Sequence, residues 1–276
     1  MDSEQTKKGI DFKRVSSALI GFPLVAAIMI LGNKYVISIG FAIIAMIAMN
    51  EYLLAISKKS KPVSWVAYLV CALISLTCII PQEMYSSIIL GAIFTILLIL
   101  FAQVIKTDMK TNFNDLAYTF VGIIYIPVFL STIAMLRNLE NGKILIWYVL
   151  FSGWATDVFA YAIGKRFGKH KFSKVSPKKS IEGVIAGTLG AVIVSLVYTY
   201  FINTYTSFQY SYMAISIITL LLSLIGQIGD FAASTIKRYV EIKDYSNLIP
   251  GHGGMLDRID SIMFIAPFAY IMLNLL

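Results

Sequence analysis

The chain has 276 residues, 58% of them hydrophobic and only 14% charged, with a mean hydropathy of +0.78. That composition excludes an ordinary water-soluble domain. The net charge of +8 would suit a nucleic-acid binder, but the distribution of the cations argues against one.

Apolar runs of about the 20 residues needed to cross hydrocarbon recur along the chain. They lie at 15–32, 36–56, 63–80, 87–105, 116–136, 144–164, 184–203, 212–231 and 259–275. Backbone polar groups in lipid must be satisfied internally, so each run is expected as a helix. The runs are continuous rather than alternating, which excludes a barrel. The expected fold is an all-α polytopic membrane protein with about nine transmembrane helices. The first run follows a basic stretch, as a cleavable signal would. Its core from Ser16 to Gly32 is long for a signal, and no small-x-small cleavage site follows it. It is read as a retained helix.

With the N-terminus in the cytoplasm, 20 of the 23 Lys and Arg residues fall in cytoplasmic segments; only Lys34, Arg137 and Lys143 fall opposite. This positive-inside bias sets the orientation and leaves the C-terminus outside. Basic charge placed so can also attract anionic lipid.

The first five runs, within residues 1–143, read as a transmembrane scaffold with short loops. Glu51, near the end of the second run, is the exceptional acid there. Snorkelling to the interface is its expected role, with a functional role as the alternative. Cys71 and Cys78 share a face of the third run and read as buried packing residues.

The remaining four runs, within residues 144–276, carry the chemistry, with cytoplasmic loops at 165–183 and 237–258. In "SGWATDVFAYAIGKRFGKH", Asp157 sits inside an apolar run. A carboxylate there costs on the order of 3 kcal/mol unless it meets a cation, a donor or water. An interhelical salt bridge and a ligand or metal site are both open. The loop that follows holds seven cations between Val158 and Ile181 without an intervening acid. It is not a Walker loop, because the spacing is wrong and no Ser or Thr follows the lysine. It is either a solvated, orientation-setting loop or a clamp for a polyanion. In "SPKKSIEG", Ser176 or Ser180 can cap the next helix, whose N-terminus suits phosphate, and Lys178 and Lys179 stand beside it.

Run eight ends in Gln227 and Asp230. Ser234 is one turn later on the same face, and Lys237 three residues further. A capped salt bridge and a metal-bound phosphate site are both compatible with that stripe. The segment "STIKRYVEIKDYSNLIPGHGGMLDRID" then packs eight charged side chains into 27 residues. Lys237, Arg238 and Lys243 supply positive charge. Gly251, Gly253 and Gly254 let backbone N–H groups approach phosphate. Asp257 and Asp260 open run nine. Hard oxygen ligands of this kind suit Mg²⁺. The chain has too few His and Cys for zinc.

This segment resembles the signature of the phosphatidate cytidylyltransferase (CDP-diacylglycerol synthase) family. The matching positions are Ser234, Ile236, Lys237, Arg238, Lys243, Asp244, Ser246, Ile249, Pro250, His252, Gly253, Gly254, Met255, Asp257, Arg258, Ile259 and Asp260, without a departure. Upstream, "DVFAYAIGKRFGKH", "SPKKSIEG" and "GQIGD" resemble family segments in the same order, so the specific resemblance covers about 152–260. It implies transfer of CMP from CTP to phosphatidic acid, giving CDP-diacylglycerol and pyrophosphate, in a homodimer of the cell (inner) membrane with its site on the cytoplasmic side. It also implies Mg²⁺ on Asp230 and Asp257, with a second cation on Asp157 or Asp260 left open. Ser234 and Lys237 would bind phosphate, and Lys178, Lys179, Arg238, Lys243, His252, Gly253, Gly254 and Arg258 would line the substrate site. An ion-coupled transporter would spread its acids to both sides of the membrane. A plain assembly scaffold would need neither the acids nor the glycine loop. The pattern of a CDP-alcohol phosphotransferase is not found.

Overall fold

The computed structural model describes residues 27–173, 176, 179–249, 251 and 253–276. The expected first span lies largely outside them; only its end, at 27–31, is seen, as helix. Helix α1 (Lys34–Ile56) is capped by Asn33, whose Oδ1 accepts from the Val36 N–H at 2.9 Å. Helix α2 (Ser64–Leu73) tightens into a 3₁₀ turn at Ile74–Cys78. There the Ser75 and Thr77 hydroxyls bond back to carbonyls three residues earlier, and Pro81 follows. The unit Ser64–Cys78 is therefore shorter than a full span. Helix α3 (Tyr85–Lys106) is long and bares most of its apolar side chains, as a helix facing hydrocarbon would.

Helix α4 (Phe113–Ile123) starts from a reciprocal cap between Asn112 and Asp115. It widens to a π turn at Ile124–Val128, where Pro127 offers no N–H, and continues as α5 (Phe129–Asn138). Helices α6 (Gly142–Phe167), α7 (Ile181–Tyr205), α8 (Tyr212–Tyr239) and α9 (Leu256–Leu273) complete the chain. Among the described residues there is no sheet, only two isolated bridges. Six described helical units are long and apolar enough to cross a membrane: α1, Gln82–Lys106, Phe113–Asn138, α6, α7 and α8. Helix α9 opens with Asp257, Arg258 and Asp260, more charge than a plain span carries. The chain is an all-helical membrane protein.

Small residues bring the helices of the second half together. A Cβ on Gly183 would lie 2.9 Å from the Ala160 carbonyl, and one on Gly187 would lie 2.7 Å from that of Thr156. Four residues apart on α7, these glycines let α7 close on α6. Gly229 does the same for α8 against the Asp260 carbonyl of α9. A buried hydroxyl chain crosses the same helices: Thr156 Oγ1 and Ser223 Oγ are 2.6 Å apart, and Ser223 Oγ and Gln227 Nε2 both donate to Thr188 Oγ1. There are two apolar cores, one around Tyr52, Met49 and Leu130 and the other around Tyr148, Leu222 and Ile265.

The loops segregate by end. At one end Lys59 pairs with Glu241 at 2.9 Å, and the Lys61 N–H donates to Asp115 at 2.6 Å. At the other, Asn138 Nδ2 donates to the Thr77 carbonyl at 3.1 Å and Gln82 Nε2 to Asn274 at 3.3 Å. Arg137, expected in a loop at that end, is instead buried and donates to the Gly32 carbonyl at 3.1 Å.

Candidate active site

A cavity of about 680 Å³ lies between α6, α7, α8 and the start of α9. Asp157, Tyr161 and Lys165 reach it from α6. Lys179 and Ser180 reach it from the basic loop, Gln227 and Asp230 from α8, and Arg258 from α9. Ser180 caps α7, its Oγ accepting from the Gly183 N–H at 3.1 Å. The loop is held shut by a bridge between Lys171 and Ser180 and by a 2.7 Å pair between His170 Nδ1 and Glu182.

Lys179 pairs with the Asp230 carboxylate and lies 4.7 Å above the Phe231 ring, which stacks on Phe172 at 4.9 Å. The carboxylates of Asp157 and Asp260 both lie within Coulombic reach of Asp230. Lys179 and Arg258 oppose that negative charge. Asp260 is buried, its Oδ1 accepting from the Ser261 N–H at 2.9 Å.

Asp257 stands beside this group and is fully engaged. Its Oδ1 accepts from Lys237 Nζ at 2.6 Å; its Oδ2 accepts from the N–H groups of Tyr245 at 2.9 Å and Gly254 at 3.0 Å. Lys237 also lies 5.5 Å from the centre of the Tyr245 ring. Burial, and then the charge of Asp257, push the Tyr245 phenol up, so it stays neutral. Gly251 and Gly253 have φ of 78° and 89°, left-handed values that glycine adopts without strain. Gly253 and Ile249 exchange both backbone hydrogen bonds, which closes the loop on itself.

The predicted residues thus fall into neighbouring groups. Asp157, Lys179, Asp230 and Arg258 line the cavity. Lys237, Asp257, Gly253 and Gly254 form the braced loop beside it. Ser234 is half-buried on α8 between the two, while Arg238 and Lys243 are exposed. Lys178 and His252 lie outside the described residues.

Sequence reasoning did not foresee the role of Glu51. It does not snorkel: it is only 4% exposed and accepts from Ser246 Oγ and from the N–H groups of Met255 and Leu256. A lone acid in an apolar helix, whose other charge is Lys34 at its far end, was the available signal, but its partners lie some 200 positions away.

Comparison with known proteins bears on the family of the chain. A sequence profile described as the cytidylyltransferase family matches residues 12–276. A Bacillus subtilis (strain 168) protein named phosphatidate cytidylyltransferase is 36% identical over 186 residues, 67% of each chain. A Staphylococcus haemolyticus (strain JCSC1435) protein of the same name is 30% identical over 264 residues, 94% of this chain and 98% of its own. One from Staphylococcus aureus (strain COL) is 35% identical over 176 residues, covering 63% of this chain and 65% of its own. With a match that runs through the scaffold as well as the charged cavity and loop, the chain belongs to the cytidylyltransferase family.

Proposed function

We propose that the chain is a phosphatidate cytidylyltransferase, making CDP-diacylglycerol and pyrophosphate from phosphatidic acid and CTP. The observation that carries this reading is the cavity, where Lys165, Lys179 and Arg258 face Asp157 and Asp230. Its volume lies within the roughly 300–1,000 Å³ of small-molecule sites. A phosphate oxygen of phosphatidic acid attacks the α-phosphorus of CTP; the bond between the α-phosphorus and the bridging oxygen breaks, and pyrophosphate leaves. Both reactants are anions, so the work of the protein is positioning and charge neutralisation.

Lys179 and Arg258 are placed to neutralise phosphates in the cavity, with Lys165 at its edge. Arg238 and Lys243, exposed cations of the charged segment, are assigned to substrate binding, as are Lys178 and His252, which lie outside the described residues. Ser234 and Lys237 bind phosphate at the α8 face. Lys237 reaches substrate by exchanging its bond to Asp257, and Gly253 and Gly254 keep that loop compact.

The donor set fits Mg²⁺. Asp157, Asp230 and Asp260 would supply hard-oxygen donors, their carboxylates acting electrostatically on one another, and Asp257 lies one turn before Asp260 on α9. Among the described residues no group of three or more His, Cys, Asp or Glu makes a ready cage. A cation here would be completed by water and substrate phosphate, the mode Mg²⁺ favours. We assign Asp230 and Asp257 as principal ligands, with Asp157 or Asp260 serving a second cation. Bound there, the metal supplies Lewis-acid neutralisation of the phosphates.

Basic loops at the cavity end support a cytoplasmic position for that end in the cell (inner) membrane; we keep the nine spans expected from the sequence, beside six membrane-length units among the described residues. Phosphatidic acid then enters sideways from the cytoplasmic leaflet, keeping its tails in hydrocarbon. The active form is a homodimer, with residues 1–143 as scaffold and 144–276 as the catalytic region. The deciding assay uses purified protein in detergent with phosphatidic acid and labelled CTP. Labelled CDP-diacylglycerol is the expected product. No turnover of CTP under any condition would overturn the reading.

A further inference from the structure

The carboxylate of Glu51 sits against the first turn of α9, the turn that carries Asp257, Arg258 and Asp260. Its Oε1 accepts from Ser246 Oγ at 2.6 Å and from the Met255 N–H at 2.9 Å, and its Oε2 accepts from the Leu256 N–H at 2.8 Å. Asp257 Oδ2 takes the preceding N–H, that of Gly254. Two carboxylates therefore divide three successive donors at the start of α9. One comes from α9 itself and the other from α1. The free N–H groups and the dipole of a helix start favour an anion there, which compensates a buried Glu without a cation.

Gly254 carries the second observation. Its φ is not left-handed, so an alanine would meet no conformational strain. A Cβ built on it would instead lie 2.6 Å from Glu51 Oε2, and the three nearest atoms all belong to the Glu51 carboxylate. Gly254 is thus small because Glu51 must approach. Ser246 likewise supplies a hydroxyl to the same carboxylate. Two positions of the charged segment are explained by a residue outside it.

We infer that Glu51 is a positioning residue for the nucleotidyl-transfer site: reaching from the N-terminal scaffold, it fixes the first turn of α9 and, through it, Arg258 at the cavity and Asp257 against Lys237. Further ties join the same regions. Lys59 pairs with Glu241 just after α8, the Tyr118 and Tyr239 hydroxyls bond, and Tyr52 Oη donates to the Tyr118 carbonyl at 2.9 Å. Glu51 differs from these in touching α9 directly. A shift of about 1 Å in catalytic groups can cost on the order of 10²-fold in rate, so a residue that only holds a turn can carry a large kinetic effect. The inference rests on the cytidylyltransferase reading for its kinetic arm but not for its structural arm.

The test combines Glu51→Gln, Glu51→Ala, Gly254→Ala and the Glu51→Ala/Gly254→Ala double variant, each checked by size exclusion in detergent. Glu51→Gln keeps the shape and loses the charge. It should lower kcat by about 10²-fold while KM for CTP changes far less. Gly254→Ala should lose activity in the parent. It should lose almost nothing more in the Glu51→Ala background, because the atom it collides with is gone. Amide hydrogen exchange over residues 254–260 should accelerate in Glu51→Gln, whether or not the protein turns over CTP. An inactive parent with that acceleration defeats the assigned reaction and keeps the tether. Parent-like exchange together with parent-like kcat in Glu51→Gln, or independent multiplying losses for Glu51→Ala and Gly254→Ala, overturns the positioning role. A Glu51→Gln protein that fails to fold leaves the Gly254 cycle and Ser246→Ala to decide: Ser246→Ala should also speed exchange at 254–260, and unchanged exchange there counts against the tether.

Discussion

Lys237 of α8 donates from Nζ to Oδ1 of Asp257 on α9 at 2.6 Å, with the lysine side chain 13% and the aspartate side chain 2% exposed. The pair links the helix that carries the cavity acid Asp230 to the one whose first turn carries the cavity cation Arg258. Breaking a buried pair from one side leaves an uncompensated charge, at a cost of about 3–5 kcal/mol. Asp257→Asn and Lys237→Met should each lower the melting temperature in detergent and cut turnover by about 10²-fold or more. The double variant should melt above at least one of the singles. Additive loss of stability in the double would show that the two side chains act independently.

Asp230 meets Lys179 inside the cavity, where substrate phosphate would compete for the lysine. Asp230→Asn should reduce turnover by about 10²-fold without loss of fold. Lys179→Ala should raise KM for CTP, since it removes a cation that meets phosphate in both ground and transition states. Near-parent rates in a well-folded Asp230→Asn protein would misassign the metal site.

Removal of divalent cations gives a separate check. EDTA should abolish formation of CDP-diacylglycerol, and excess Mg²⁺ should restore it. Undiminished turnover in EDTA would exclude a required metal.

Orientation is open to chemical labelling. Asn247 is exposed in the loop before α9, at the end proposed to be cytoplasmic. A single cysteine there, with Cys71 and Cys78 replaced, should resist an impermeant thiol reagent in intact cells and react after permeabilisation. Ready labelling from outside would reverse the topology.

The glycine contact between α6 and α7 sets the width of the cavity between them. A Cβ on Gly187 would stand 2.7 Å from the Thr156 carbonyl, which belongs to the backbone and cannot swing away. Gly187→Val should cost about 1–3 kcal/mol as overpacking. It should also raise KM for CTP by displacing Asp157 from Asp230. A parent-like melting temperature and KM would show that the helices separate without consequence.

Length, hydropathy and the one-sided cations were enough to read an all-helical membrane protein, because hydrocarbon leaves the backbone few ways to bond itself. The charged segment from Ser234 to Asp260 was enough to read a phosphate chemistry and its family. Local spacing also offered Ser176 and Ser180 as caps, of which the fold uses Ser180, and gave the face shared by Asp230 and Ser234, since a helix makes neighbours of residues three and four apart. What lay beyond that reach was decided by packing. Only the fold brings Lys179 to Asp230, sets Asp257 between Lys237 and the glycine loop, and buries Glu51 against Ser246 and the start of α9. Those contacts join residues up to 205 positions apart. No periodicity in a sequence encodes them, because they follow from which helices the small residues allow to close on one another.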